Sequence, residues 1–473
     1  MSSSAAAALP QIIQGGMGVG VSNWVLAGRV AACGQLGVVS GTAVERVLAC
    51  RLQAGDPDGA MRRALAAFPD QAVASRILNA WFRPEGLPAP GEYKPVPLFS
   101  QTPSRALLEL TVCGSFVEVW LAKQQAQDGG AVGINLLEKI RLPTLPTLYG
   151  ALLAGVDAVL MGAGIPREIP AHITRLSAHE ASSLRIPVEG GDTVESRFDP
   201  ADLLTVKPTI TRPAFLAVIS SDVLAVSLAR SGGIDGFIVE GPTAGGHNAP
   251  PRGGAADAKG TPIYGPRDVP DLKRIAALNL PFWLAGGKAT HEAFREALAT
   301  GAHGVQIGTA FAFCEESAMI PEVRAMARSQ PGGAPVVTDG RASPTGFPFK
   351  VVAAAGSEGG RDPDLRERRT CTLGYLREAY AREDQTVGWR CPSEPVEQWS
   401  AKGGDPTAAT GRRCVCNGLM ATIGHPHANR DGSLELPLIT AGDDLVGIDR
   451  FGKRYHADEV IDLVLGRVTH AVV

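Results

Sequence analysis

PFWLAGGKATHEAFREALATGAHGVQIGTAF, residues 281–311, decides the fold. Its first run, Pro281 to Gly286, is apolar throughout and is followed by a second glycine, and a second run, Gly304 to Gly308 (GVQIG), is apolar but for Gln306 and closes on a single glycine. Between them, His291 to Thr300 sets Phe294, Ala297 and Leu298 three and four residues apart among charged neighbours, the spacing of an amphipathic helix. A strand without a polar face is covered on both sides. A helix joining two such strands returns the chain to the same sheet edge, so the pair reads as parallel.

The same unit recurs outward from this stretch. Apolar runs ending in Gly, Ser, Asn or Glu occupy Pro10 to Gly16 (PQIIQGG), Gly37 to Ser40, Val132 to Leu136, Ala158 to Gly162, Ala214 to Ser220 and Gly236 to Glu240. Segments that can hold helices separate them, Ser22 to Gln35 among these. Together with the opening pair they make eight strands. A doubly wound open sheet fits the alternation too, and it is the count of eight that selects a (β/α)8 TIM barrel. Residues 1–330 are read as the barrel. Within it, 44–130 form a long insertion after strand 2, with a Pro-rich turn region (RPEGLPAPGEYKPVP) and a helix near Leu107 to Gln125. Residues 331–473, rich in Gly and Pro, read as a C-terminal cap or accessory region.

Composition excludes several classes. A chain of 473 residues that is 45% hydrophobic and 20% charged can bury a large core. Its formal charge of −3, without a dense Lys/Arg run, argues against nucleic acid and anionic membrane as partners. No segment holds about 18 uninterrupted apolar residues, and the N-terminus lacks the pattern of a secretory signal, so a soluble cytoplasmic protein is expected. Eight cysteines are too few for a disulfide scaffold. Four of them, Cys371, Cys391, Cys414 and Cys416, cluster late in the chain near His425 and His427. They could ligate a metal or serve as small apolar core residues.

In a parallel barrel the chemistry sits at the C-terminal ends of the strands. Here those ends read QGGMGVG after strand 1, Asn135 in strand 3, Glu240 followed by GPTAGGH after strand 6, AGGK after strand 7 and IGTAF after strand 8. His247 follows two glycines, a backbone that can approach a flat ring while its imidazole exchanges a proton near neutral pH. Gly286, Gly287, Gly308 and Thr309 are the phosphate site this pattern suggests, because backbone N–H groups free of Cβ atoms can reach phosphate oxygens. Each GG pair alone also fits an ordinary tight turn. Residues 248–262 (NAPPRGGAADAKGTP) suit a lid over the substrate, and equally a surface insertion.

The combination of PQIIQGGMG, EGPTAGGH, LAGG and GAHGVQIGTAF resembles the FMN-dependent nitronate monooxygenases, once called 2-nitropropane dioxygenases. It is also similar to the flavin-dependent enoyl reductases built on the same barrel. The resemblance runs from about Pro10 to Glu316 and leaves the long insertion unaccounted for. It implies FMN as cofactor. Gly16, Met17 and Gly18 would line the ring, Asn135 would hydrogen-bond the ring or ribityl chain, and Gly245 and Gly246 would let the backbone pass close. The phosphate would lie at Gly286, Gly287, Gly308 and Thr309. His247 would be the catalytic base that takes a proton beside a nitro group, generating an alkyl nitronate that O2 converts to a carbonyl compound and nitrite. Glu240 departs from the Gln usual in the monooxygenases and is closer to the reductases, in which NAD(P)H would reduce the double bond of an acyl-carrier or CoA thioester. A barrel that merely bound flavin would not need a protonatable side chain at 247. A small-molecule substrate, O2 or NAD(P)H, and self-association into a homo-oligomer are the partners this reading admits.

Overall fold

The computed structural model describes residues 9–467 apart from 128, 259, 330, 331, 366–369 and 430. All eight expected strands form: β1 (Ile12–Gln14), β2 (Gly37–Ser40), β3 (Val132–Leu137), β4 (Ala158–Gly162), β5 (Ala214–Ile219), β6 (Gly236–Glu240), β7 (Phe282–Ala285) and β8 (Gly304–Ile307). Each pairs in parallel with its sequence neighbour from β2 to β8, and β8 pairs with β1 through Ile12↔Val305 and Gln14↔Ile307. The last seam is short. Gln14 N–H donates to the Leu36 carbonyl at 2.9 Å and Leu36 N–H to that of Ile12 at 3.1 Å, which joins β2 to β1 and closes the barrel.

Closure explains why the strands carry no polar face. Alternate residues Ile13, Val38, Leu160, Leu216, Ile238 and Trp283 fill the interior. Ile12, Val39, Val159, Phe215, Phe237 and Phe282 point the other way, into the helix layer. Trp283 Nε1 donates to the Pro10 carbonyl at 3.0 Å, where the leading segment crosses the barrel floor.

The helices begin where the sequence supplies caps. Asn23, Ser104 and Thr290 accept backbone N–H groups at the starts of Trp24–Ala32, Arg105–Ala126 and His291–Ala299. The expected insertion 44–130 is narrower than the sequence suggested. Its last helix, Arg105–Ala126, packs between Trp24–Ala32 and Thr144–Leu153 in the outer ring and is the barrel's own crossover to β3. Missing side chains make that close packing feasible: a Cβ on Gly28 would stand 2.9 Å from the Ala122 carbonyl oxygen, and one on Gly150 only 2.1 Å from that of Val112. The extra layer proper is the three helices Val44–Gln53, Ala60–Ala66 and Gln71–Trp81.

A second embellishment went unread in the sequence. Between β4 and β5 a hairpin pairs Ser182–Ile186 with Val194–Phe198. Val188–Glu189 at its turn joins Glu378–Ala381 in parallel, and Glu378–Ala381 pairs with Val387–Arg390, tying this insertion to the C-terminal region.

The region after β8 both covers the barrel mouth and returns to its wall. After crossing the barrel mouth, the chain ends its described part in the helix Ala457–Leu465, which packs between Trp24–Ala32 and His291–Ala299. That is the place of the eighth barrel helix. Arg29 pairs with Asp458 at 2.7 Å, and His291 Nδ1 meets the Val464 carbonyl at 3.0 Å.

Candidate active site

The interior alternation continues upward into polar residues. Two positions beyond Ile238 stands Glu240, beyond Leu160 comes Gly162, and Asn135 and Gln306 hold the matching places on β3 and β8. All four line a cavity over the barrel mouth. The loop after β1 (Gly15 to Val19), residues 244–247, 285–288 and 307–309 complete its floor and sides. About 1560 Å³ of empty space, open solvent at the mouth included, lies within this lining.

Every residue expected at the site, Gly16, Met17, Gly18, Asn135, Glu240, Gly245, Gly246, His247, Gly286, Gly287, Gly308 and Thr309, lies on this cavity. Asn135 Nδ2 donates to the Gly16 carbonyl at 3.1 Å, so it braces the β1 loop, and its Oδ1 has no protein partner among the described residues. The approach is tight: a Cβ on Gly16 would come within 2.2 Å of the Asn135 Cβ. Gly286, with φ +93°, lets the β7 loop turn against residues 243–244, where a Cβ would stand 2.6 Å from Thr243 Oγ1. At Gly246, Gly287 and Gly308 a Cβ would meet nothing within 4 Å, as expected of backbone facing a space kept for a ligand.

Lys288, not singled out in the sequence beyond its AGGK motif, also lines this end and forms no ion pair among the described residues. A cation beside open glycine backbone is what a phosphate requires. Thr309 is turned to a different partner. Its hydroxyl accepts the Gly442 N–H at 2.9 Å and bonds Asp444, whose carboxyl burial raises above its usual range. Thr309 therefore anchors the returning C-terminal chain as well as bordering the cavity.

His247 is held from above. Its Nε2 lies 2.7 Å from Ser343 Oγ, which is 2.9 Å from Thr345 Oγ1, and its ring packs edge-on against Phe349 at 4.7 Å. The flanking backbone is fixed too, with Gly246 N–H donating to Thr440 Oγ1 and Lys350 N–H to the Gly246 carbonyl, both at 2.9 Å. Nδ1 is left without a protein partner among the described residues. Burial pulls the imidazole down to about 4, so it is neutral at pH 7 and a proton acceptor. Burial drives Glu240 the other way, up to about 8, so its carboxyl is mostly protonated at pH 7.

The roof differs from the expected lid. Residues 248–262 do not line the cavity; Asn248, Ala249, Pro250 and Arg252 border a smaller recess behind Glu240, and Lys259 lies outside the described residues. The cover comes from the C-terminal region: Tyr375, Leu376, Cys416, Leu419, Leu438 and Thr440. Gln306 was legible in principle, since it sits two residues from Gly304 on the inward parity of β8. Ser343, Thr440 and Asp444 carry no local signal, being brought to the site only by the returning chain.

Among the described residues no three His, Cys, Asp or Glu side chains are grouped to hold an ion. Burial raises the thiols of Cys371, Cys391 and Cys416, and Cys414 is buried at the start of the helix Val415–Thr422. His425 bonds the Tyr93 hydroxyl at 2.8 Å, and burial lowers it to about 3. His427 is half-buried and also lowered.

Residues 193–333, from the second insertion through β8, match the family model for nitronate monooxygenase. The likeness to that family is carried by this segment. It contains His247, Glu240 and both glycine sites. A probable nitronate monooxygenase of Bacillus subtilis (strain 168) is 36% identical over 113 residues, which is 24% of this chain and 31% of that relative's length. Among solved structures, a nitroalkane oxidase from Streptomyces ansochromogenes aligns over 97% of this chain and 96% of its own at 15% identity and a TM-score of 0.46. FabK from Thermotoga maritima aligns over 97% and 92% at 16% identity, also with a TM-score of 0.46. No described helix is long and apolar enough to cross a membrane.

Proposed function

We propose that the chain is an FMN-dependent oxidoreductase of the nitronate monooxygenase type, converting an alkyl nitronate and O2 to a carbonyl compound and nitrite. The observation that carries this reading is a neutral imidazole with one free nitrogen, fixed by Ser343, on a cavity floored by glycines whose missing side chains leave open space. The residues present fit the cofactor. Gly16 to Gly18, Asn135 and Gly246 would flank the ring system, and Gly287, Lys288 and Gly308 would receive the phosphate. FMN when bound supplies the electron acceptor.

What the protein's own groups do follows from their states. His247 Nδ1, unprotonated above pH of about 4, takes the proton from the carbon bearing the nitro group. Ser343 holds the opposite nitrogen, fixing the ring's orientation while it gains charge. Glu240, protonated at pH 7, can donate a hydrogen bond as the amide of a glutamine would.

A second reading rests on Glu240 itself, since glutamate at this position resembles the enoyl reductases, which take hydride from NAD(P)H and act on an acyl-carrier or CoA thioester. One anaerobic experiment separates the two. Bleaching of the flavin absorbance by an alkyl nitronate but not by NADPH supports the monooxygenase; bleaching by NADPH alone supports the reductase; protein purified without flavin overturns both.

A further inference from the structure

A second cavity adjoins the first and has no role in the chemistry above. Its wall is apolar and aromatic, with Phe99, Leu142, Ile186, Phe347 and Trp389 prominent, and Tyr375 is common to both cavities. None of its lining residues falls within the family-matched segment 193–333; they come from the loops after β3 and β4, the extra layers and the C-terminal region.

Two observations point to what fills it. Tyr375 is buried, yet its hydroxyl has no hydrogen-bond partner among the described residues. A buried phenol left unbonded costs roughly 1–3 kcal/mol, so a hydroxyl in that state on the wall between two cavities is one kept for a ligand. The charges at the rim are also unequal. Arg141 is held by Glu138 and Glu168, whereas Lys139, exposed and 5.4 Å from the centre of the Phe347 ring, pairs with no acid among the described residues. An apolar trough ending at an unpaired ammonium suits an apolar chain with an anionic end.

We infer that this second cavity is the distal compartment of the substrate site, taking the apolar body of a substrate whose terminal carboxylate or phosphate meets Lys139 and which bonds the Tyr375 hydroxyl where it crosses between the cavities. The inference rests on the proposed function for the reacting end only. Small nitroalkanes then fill the first cavity alone, and an ω-nitro fatty acid spans both.

The flavin-loaded protein is titrated calorimetrically with decanoate and 1-decanol, and turnover of 10-nitrodecanoate is compared with that of nitroethane. Decanoate is expected to bind about three- to fivefold more tightly than 1-decanol, the range of a partly exposed ion pair, and Lys139→Gln to remove that margin. The kcat/KM ratio of 10-nitrodecanoate to nitroethane is expected above about ten, since each buried CH2 contributes ~0.8 kcal/mol, and to fall about threefold in Lys139→Gln and in Tyr375→Phe through KM. No decanoate binding, a margin that survives Lys139→Gln, or equal kcat/KM for the two nitro compounds overturns the inference. Should no nitro compound be turned over, the proposed function fails, and the decanoate titration still decides the cavity.

Discussion

His247 and Glu240 are moved in opposite directions by one cause. Burial penalises whichever form carries charge, so the imidazole loses its proton more readily and the carboxyl keeps its own. An imidazole of ordinary pKa would lose base function below pH 6.5 or so, whereas His247 is expected to hold a flat rate from pH 7 to pH 5 and to fail only as pH drops through about 4. A profile of kcat/KM on a neutral nitroalkane checks this, and an acid limb near 6.5 would contradict it. His247→Asn should retain flavin while slowing the neutral nitroalkane about 10²–10⁴-fold, with a much smaller loss on the preformed nitronate. Equal losses on the two would remove the proton-abstraction role. For Glu240 the sign is opposite. Its folded pKa of about 8 lies above the ordinary 4.5, so the folded state holds the proton more tightly and wild type loses stability as pH rises from 4.5 through 8. Glu240→Gln escapes that loss. Its melting temperature should match wild type near pH 4.5 and exceed it at pH 8.5, corresponding to about 1 kcal/mol or more.

Glycine positions carry both the site and the ring, and two substitutions separate those duties. Gly16→Ala places a methyl 2.2 Å from the Asn135 Cβ, so the β1 loop must shift away from β3 and flavin affinity should fall about tenfold or more, read by fluorescence on dilution. Gly150→Ala places its methyl 2.1 Å from the Val112 carbonyl, between two ring helices far from the cavity lining. It should cost roughly 1–3 kcal/mol in thermal unfolding while leaving flavin affinity in the native range. The elements themselves were legible because buried parallel strands have no polar face to confuse the pattern, and each strand end carried its own Gly or polar signal. Helix Arg105–Ala126 misled the reading of the insertion for a physical reason: its burial is nearly all-round, so nothing local marks it as crossover rather than embellishment. The hairpin Ser182–Phe198 alternates apolar and polar residues only weakly and pairs with a strand almost two hundred residues on, a register no local pattern encodes. His247 was readable from its motif. Ser343, which fixes it, was not, because the two lie 96 positions apart in the chain.

At the scale of the whole molecule, the chain leaves the barrel after β8, roofs the cavity and comes back to finish the wall. The returning helix Ala457–Leu465 buries Val460, Ile461 and Val464 between the first and seventh helices of the ring, so roof and barrel share one core. Three such side chains contribute about 5–9 kcal/mol, comparable to the 5–15 kcal/mol that holds a typical domain folded. Removing the chain from Ala457 onward should therefore abolish the cooperative fold and not merely open the cavity: the product is expected to be insoluble, or to bind a hydrophobic dye without a thermal transition. Val464→Ala grades the same claim in a protein that still folds, lowering stability by roughly 2–4 kcal/mol. Since the roof is tethered at Thr309 and Gly442 as well as by this helix, the loosened variant should also lose flavin at a lower temperature. A truncated chain that melts cooperatively and keeps its flavin would mean that residues 331–456 cap an already complete barrel, and the shared core would have to be abandoned.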